Sequence, residues 1–289
     1  MQLPLHEIRT GYNGFQSIID LESKVGECED NEIEMDLRGL DWLDANMCSP
    51  LGAILCRIQC MNRRVSISTA SDKPATILRK NGFLEQFGRP RMRDTYETTI
   101  EYRRFQRGDS HSFKEYVVQH FRQGTKGLPL MTPLLLKRFR LSLFEILDNA
   151  VEHSHTELGI FACGQHFPKQ ERLDFSIADL GIGIRDKILR ERGLSLSPAE
   201  AIEWAMKGNT TKRDKTGGLG LTLIREFIEM NQGRLIVVSD AGYWEMSGGK
   251  VESNTFPQPF PGTVVTIEIN TADKAKYCLA SELDPKSIF

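Results

Sequence analysis

The chain of 289 residues has six cysteines, at positions 28, 48, 56, 60, 163 and 278, and no CxxC pair among them. Cys56 and Cys60 stand one helical turn apart, but no histidine or second cysteine pair lies at zinc-ligand spacing. A zinc module and a disulfide framework are both disfavoured; Cys56 and Cys60 are expected as buried core thiols, and the thiols as reduced. No apolar run approaches the length of a membrane span, and MQLPLHEIRT lacks the apolar stretch of a signal peptide. The expected location is therefore the cytoplasm. An excess of either charge is also lacking: 37 Lys and Arg against 39 Asp and Glu leave a net −2. That balance gives no electrostatic reason for a nucleic-acid or anionic-membrane partner. Internal repeats and low-complexity tracts are absent. What is present is an ordinary globular composition, 40% hydrophobic and 26% charged, with chain enough for two domains.

The densest pattern lies at LSLFEILDNAVEHS (141–154). Phe139, Leu143, Ile146, Leu147 and Ala150 recur at three- and four-residue steps, the stripe of a buried helix. Glu145 and Asn149 are one turn apart at the rim of that stripe. Alone they are either a solvated helix face or a site for a hydrated Mg²⁺ on Asn149, with Glu145 positioned to take a proton. Next comes DLGIGI (179–184), after the strand pattern RLDFSIAD. Gly181 and Gly183 either permit a tight turn or let the backbone close over a ligand, with Asp179 accepting from an exocyclic amine. TGGLGL (216–221) opens a helix, so Gly217, Gly218, Leu219, Gly220 and Leu221 suit a phosphate loop at a helix N-terminus. Lys212 and Lys215 stand just before it. SPAE (197–200) is a capping-box pattern that starts another helix. Gly233 is expected to close the helix of 219–233, and Gly262-Thr263 opens the last strand.

The first half reads as a small α/β unit. Strands are expected at 32–37, 63–70 and 95–105, and helices at 49–61 and 71–88, the latter stopped by Asn81-Gly82. Ser49 stands as N-cap, with Pro50 at the first helical position. The acidic strand end MDLRGLDWLD, the helix with LGAIL and the closing NGF resemble the STAS fold of anti-sigma factor antagonists over about residues 30–90. Switching members of that family place a phospho-acceptor hydroxyl just after the Asp. Here Asp44 is followed by Ala45 and Asn46.

The second half, taken as one ordered set, resembles the Bergerat-fold ATPases of the GHKL superfamily: E-x-x-x-N on a helix, D-x-G-x-G after a strand, G-G-x-G-L opening a helix, and Gly-Thr on a last strand. The resemblance covers roughly 112–270 and implies ATP and Mg²⁺ as cofactors. Asn149 would hold the Mg²⁺, Glu145 would act as general base, Asp179 would read adenine with Thr263 beside it, and the glycines at 217, 218 and 220 would cradle phosphates. The fold class implied is α/β (α+β). A STAS-like sheet with helices (1–105) precedes a Bergerat-type sandwich (106–272), a mixed sheet with helices on one face, and a short tail (273–289) follows. Of the branches, the histidine kinases would need a phospho-accepting helical hairpin. His111 and His120 sit at opposite ends of one short helix and do not supply it. Gyrase, MutL and Hsp90 relatives would need a further domain after residue 289. NAVEHS, with His153, and the loop from 208 to 218 resemble the anti-sigma factor kinases. That branch implies transfer of the γ-phosphoryl group of ATP to a partner protein, with a homodimer compatible. The alternative is an ATP-binding or ATP-hydrolysing switch that controls docking of the STAS-like half.

Overall fold

A computed structural model of the chain describes residues 1–5, 7–69, 73–153, 158–211 and 219–283. The first half is built on a parallel three-stranded sheet of β1 (Gln2–Pro4), β3 (Glu32–Asp36) and β5 (Arg64–Ser68), ordered β1-β3-β5. Two short strands, β2 (Glu7–Ile8) and β4 (Trp42–Leu43), pair beside it. Three helices accompany them: α1 (Tyr12–Gly26), α2 (Cys48–Cys60) and α3 (Lys73–Lys80). Asn81 and Gly82 stop α3 as expected, with Gly82 in the left-handed region. Helix α1 was not anticipated, although Phe15, Ile18, Ile19 and Val25 form a buried stripe at helical spacing.

The larger sheet has five strands, and every pairing in it is antiparallel. Its order is β10 (Arg234–Ser247), β11 (Lys250–Asn270), β9 (Arg172–Asp179), β8 (Ile160–Phe167) and β6 (Thr99–Phe105). Strand β6 corrects one expectation. Its segment was placed in the N-terminal unit, but it pairs with β8, Thr99 opposite Gln165 and Phe105 opposite Ile160. A boundary at 105/106 thus falls just after an edge strand of the larger sheet. Helices α4 (Ser110–His120), α5 (Pro133–His153) and α8 (Leu219–Met230) supply one face's core together with Ile160, Phe175, Ile177, Val265 and Ile267. The predicted α5 stripe is buried throughout, with Phe139 and Leu143 at 0% exposure. Between β9 and α8 lie α6 (Gly183–Arg192) and α7 (Pro198–Met206), the latter opened by the Ser197–Glu200 capping box. Helix α8 ends at Met230, and Gln232 rather than Gly233 takes the left-handed conformation after it. The tail is not free: β12 (Lys276–Tyr277) pairs with β7 (Leu130–Met131), and Tyr277 is buried.

The opposite face of the larger sheet is covered by the N-terminal half. Phe161, Cys163, Ala178, Ile236, Val238 and Val264 share one core with residues of α1 and α2. Buried polar groups tie the two halves together. Asn46 Nδ2 donates to Ser176 Oγ at 3.0 Å, Ser176 Oγ lies 2.7 Å from Thr266 Oγ1, and Thr10 Oγ1 donates to Asn46 Oδ1 at 3.1 Å. Arg172 reaches Asp44 at 2.9 Å, and Asp174 and Glu268 each at 3.3 Å. Asp174 is fully buried, and burial pushes its carboxyl well above the usual carboxylate range, against the pull of Arg172.

Ser49 is not a cap. Helix α2 begins at Cys48 as a continuation of the turn Ala45–Met47, and Met47 already has helical dihedrals. The Ser49 hydroxyl is fully buried and donates to Phe161 O of β8 at 2.7 Å. Of the cysteines, Cys48, Cys56 and Cys163 are core residues and Cys28 and Cys278 are half-buried, whereas Cys60 is exposed, contrary to the expectation that it is a core thiol like Cys56. No helix among the described residues is long and apolar enough to cross a membrane.

Candidate functional site

The site lies on the helical face of the larger sheet, between α5 and residues of β9 and β11. A cleft of about 980 Å³, its open mouth included, is floored by Ile177 and Val265 and walled by Ile146, Asn149 and Ala150 of α5. Ile182, Ile184, Lys187 and Ile188 form a second wall, Trp204 and Ala205 of α7 with Asn209, Thr210 and Thr211 a third, and Leu221 of α8 completes the lining. An apolar cleft with a few converging polar groups is the form of a small-molecule site.

One rung of the sheet carries Asp179 and Thr263 to the cleft. Ser239, Thr263, Asp179 and Ile160 are successive partners across β10, β11, β9 and β8. Asp179 is the last residue of β9 and only 9% exposed. Its Oδ1 accepts from Gly181 N at 2.8 Å. Burial raises its pKa to about 7, while the backbone N–H groups of Gly181 and Thr263 and the charge of Lys187 hold it down. Thr263 Oγ1 and Ser239 Oγ lie 3.0 Å apart, and Ser239 Oγ accepts from Ile184 N at 2.8 Å. That last bond fixes the first turn of α6. Gly183, at φ 75°, makes the reversal from strand into helix that a side chain would strain.

The expected residues do not all converge. Asn149, Asp179, Gly183, Leu221 and Thr263 line the cleft. Gly181 is set back: its N–H serves Asp179, and the residue lines a neighbouring hollow beside Pro261 and Gly262. Glu145 is half-buried but is not part of the cleft wall; it faces Gly220 at the start of α8. Leu219 and Gly220 begin α8, while Gly217 and Gly218, with Lys212 and Lys215, fall outside the described residues. Ser239, Lys187, Trp204, Asn209, Thr210 and Thr211 were not anticipated. Ser239 follows from strand register alone, since β10 must pair with β11 through the residue opposite Thr263.

Residues 136–273 match the family of histidine kinase-, DNA gyrase B- and HSP90-like ATPases. A GHKL ATPase domain is found over this stretch, a little under half of the chain. It runs from within α5 to just past β11, so α4 and β6 lie outside the matched residues although they belong to the same layers. No curated protein matches the chain. The ATPase domain supports ATP binding, which in this family generally involves Mg²⁺. The cleft fits both groups. Its acceptor Asp179 sits at the base of an otherwise apolar wall, and Asn149 offers one neutral oxygen donor. Among the described residues no three His, Cys, Asp or Glu side chains gather as a metal cluster. One amide oxygen is the donor set expected for a Mg²⁺ that keeps its waters and binds through phosphates.

Proposed function

We propose that this protein is an ATP- and Mg²⁺-dependent regulator of the anti-sigma factor serine/threonine kinase type, with a STAS-like N-terminal half. The observation that carries it is the pair Asp179 and Thr263 at the base of the cleft, with Asn149 on the facing helix. Asp179 accepts from the exocyclic amine of adenine. Guanine presents a carbonyl there, so the acceptor would lose its partner. Asn149 would hold the Mg²⁺, which supplies charge neutralisation to the phosphates when bound. In the transfer, the bond from the γ-phosphorus to its bridging oxygen breaks as a partner hydroxyl oxygen bonds to phosphorus. The hydroxyl proton passes to a base, the role proposed for Glu145.

A conformational switch without protein phosphorylation is the alternative, and one observation favours it. The hydroxyl nearest the start of α2, Ser49, is sealed between the two halves and bonded to Phe161 O. The STAS-like half therefore offers no acceptor at that position within its own chain. An ATP state that reshapes the cleft would then act on partner docking.

Incubation with ATP labelled at the γ-phosphate separates the two. Label on a partner hydroxyl is the expected result for the kinase. Free phosphate with every protein unmodified indicates the switch. No ATP binding by the wild type, or binding unchanged by Asp179→Asn, overturns the assignment of the site.

A further inference from the structure

The chain has three tryptophans, and two of them are fully engaged. Trp42 donates its indole N–H to Asp44 Oδ1 at 2.9 Å and carries Arg9 over its ring. Trp244 is buried, donates to Glu203 Oε2 at 2.6 Å and lies beneath Arg225. Trp204 differs from both. Among the described residues its Nε1–H meets no acceptor, and no ring or cation lies against it; its one hydrogen bond is through the backbone, from Asn209 to its carbonyl oxygen. Nor is that N–H sealed in the interior. The ring is half-buried and forms part of the cleft wall, where it is the single aromatic among the described lining residues.

Helix α7 holds the ring there. Its start is fixed by the Ser197–Glu200 capping box, and Ala201, Ile202 and Met206 are buried on one side. Glu203, the residue before Trp204, is committed to Trp244. The helix cannot turn to bury Trp204 without breaking these contacts. An indole usually finds a partner for its N–H when it leaves water. A flat apolar face beside an unspent donor suits a flat ligand that carries acceptor oxygens, and a nucleotide has both.

We propose that Trp204 is a nucleotide-contact residue, its indole face lying against the purine and its N–H donating to an oxygen of the bound nucleotide. This rests on the ATP assignment of the cleft and adds to it a residue from outside the expected motifs.

The test is a fluorescence titration of the full chain with ATP, run beside equilibrium dialysis with labelled ATP. The proteins are wild type, Trp204→Phe, Trp204→Ala and Asp179→Asn. ATP should change the wild-type tryptophan emission over the concentrations at which dialysis detects binding. That change should vanish in Trp204→Phe, which keeps an aromatic face and binds within a few-fold of wild type. Trp204→Ala should bind about tenfold more weakly with an unshifted melting temperature, because a side chain that only packs the wall would lower Tm instead. Dialysis affinity unchanged in Trp204→Ala, or an emission change that persists in Trp204→Phe, overturns the contact while leaving the site in place. No binding by the wild type overturns both the site and the contact.

Discussion

Gly220 and Glu145 face each other so closely that a Cβ on the glycine would stand 2.7 Å from Glu145 Oε2 and 3.0 Å from Glu145 Cβ. Helix α8 therefore starts against α5 one turn before Asn149. Gly220→Ala should force the two helices apart by a few tenths of an ångström and cost about 1–3 kcal/mol. ATP affinity should fall with it, because Asn149 and Leu221 line the cleft from the same two helices. Adding Glu145→Ala removes the carboxylate from the contact and should restore part of the loss. Thermal melts of the two single variants and the double variant read this coupling directly.

Asp179 gives the site a pH signature. Its folded-state pKa is raised to about 7, so the folded chain holds a proton that the unfolded chain has already released. Stability from this group is complete below about pH 4 and is lost as pH rises to about 7, a span worth roughly 4 kcal/mol. Asp179→Asn should flatten that part of the stability profile and leave the variant more stable than wild type at pH 8, while abolishing ATP binding. In the wild type, ATP affinity should rise from pH 6 to pH 8 as the carboxylate ionises. Chemical denaturation and ATP titration across this range check both outcomes.

Removing the Asn46 amide leaves the hydroxyls of Thr10 and Ser176 short of a partner inside a closed core. Asn46→Ala should destabilise the chain by about 1–3 kcal/mol, measured by urea unfolding. Since Ser49 lies in the same buried seam, phosphate mapping after incubation with ATP should find no label on Ser49 of the folded protein.

Arg172 is the cation at the centre of Asp44, Asp174 and Glu268. Arg172→Met should cost about 3–5 kcal/mol at pH 8, because it strands carboxylates in the seam. Without the guanidinium the folded-state pKa of Asp174, already raised by burial, moves further up. A raised carboxyl pKa gives stability at low pH that is lost as pH rises, so the penalty should shrink as pH falls from 8 to 5. Melting temperatures of both proteins across that range test it.

Much of this was legible because the signals were local. The α5 stripe, the Ser197–Glu200 box and the strand end at Asp179 each depend on neighbours a few residues away, whereas Gly262-Thr263, expected to open the last strand, lies inside β11. Partners distant in sequence were not legible. Alternation marks 95–105 as a strand but does not say that β8 is its neighbour. Ser49-Pro50 has the local form of a helix start, yet docking of the two halves buries that serine inside α2. Glu145 and Asn149 were paired by spacing, and spacing alone does not say which neighbour each side chain meets. Four residues of helix advance by about 40° beyond a full turn, enough for Asn149 to face the cleft while Glu145 faces α8. Lys187 and Trp204 were missed because their place depends on how α6 and α7 fold back over the sheet. Helix α1 carried its own stripe and went unread.

Strand β9 serves two masters through its pleat. Ile177 and Asp179 point to the cleft, while Ser176 and Ala178 point to the N-terminal half. A single-codon insertion or deletion within this strand would exchange those faces. It would bury Asp179 against α2 and present alanine and serine to the ligand. A substitution along β9 therefore disturbs one half at a time, whereas the strand's length is fixed jointly by both halves of the protein.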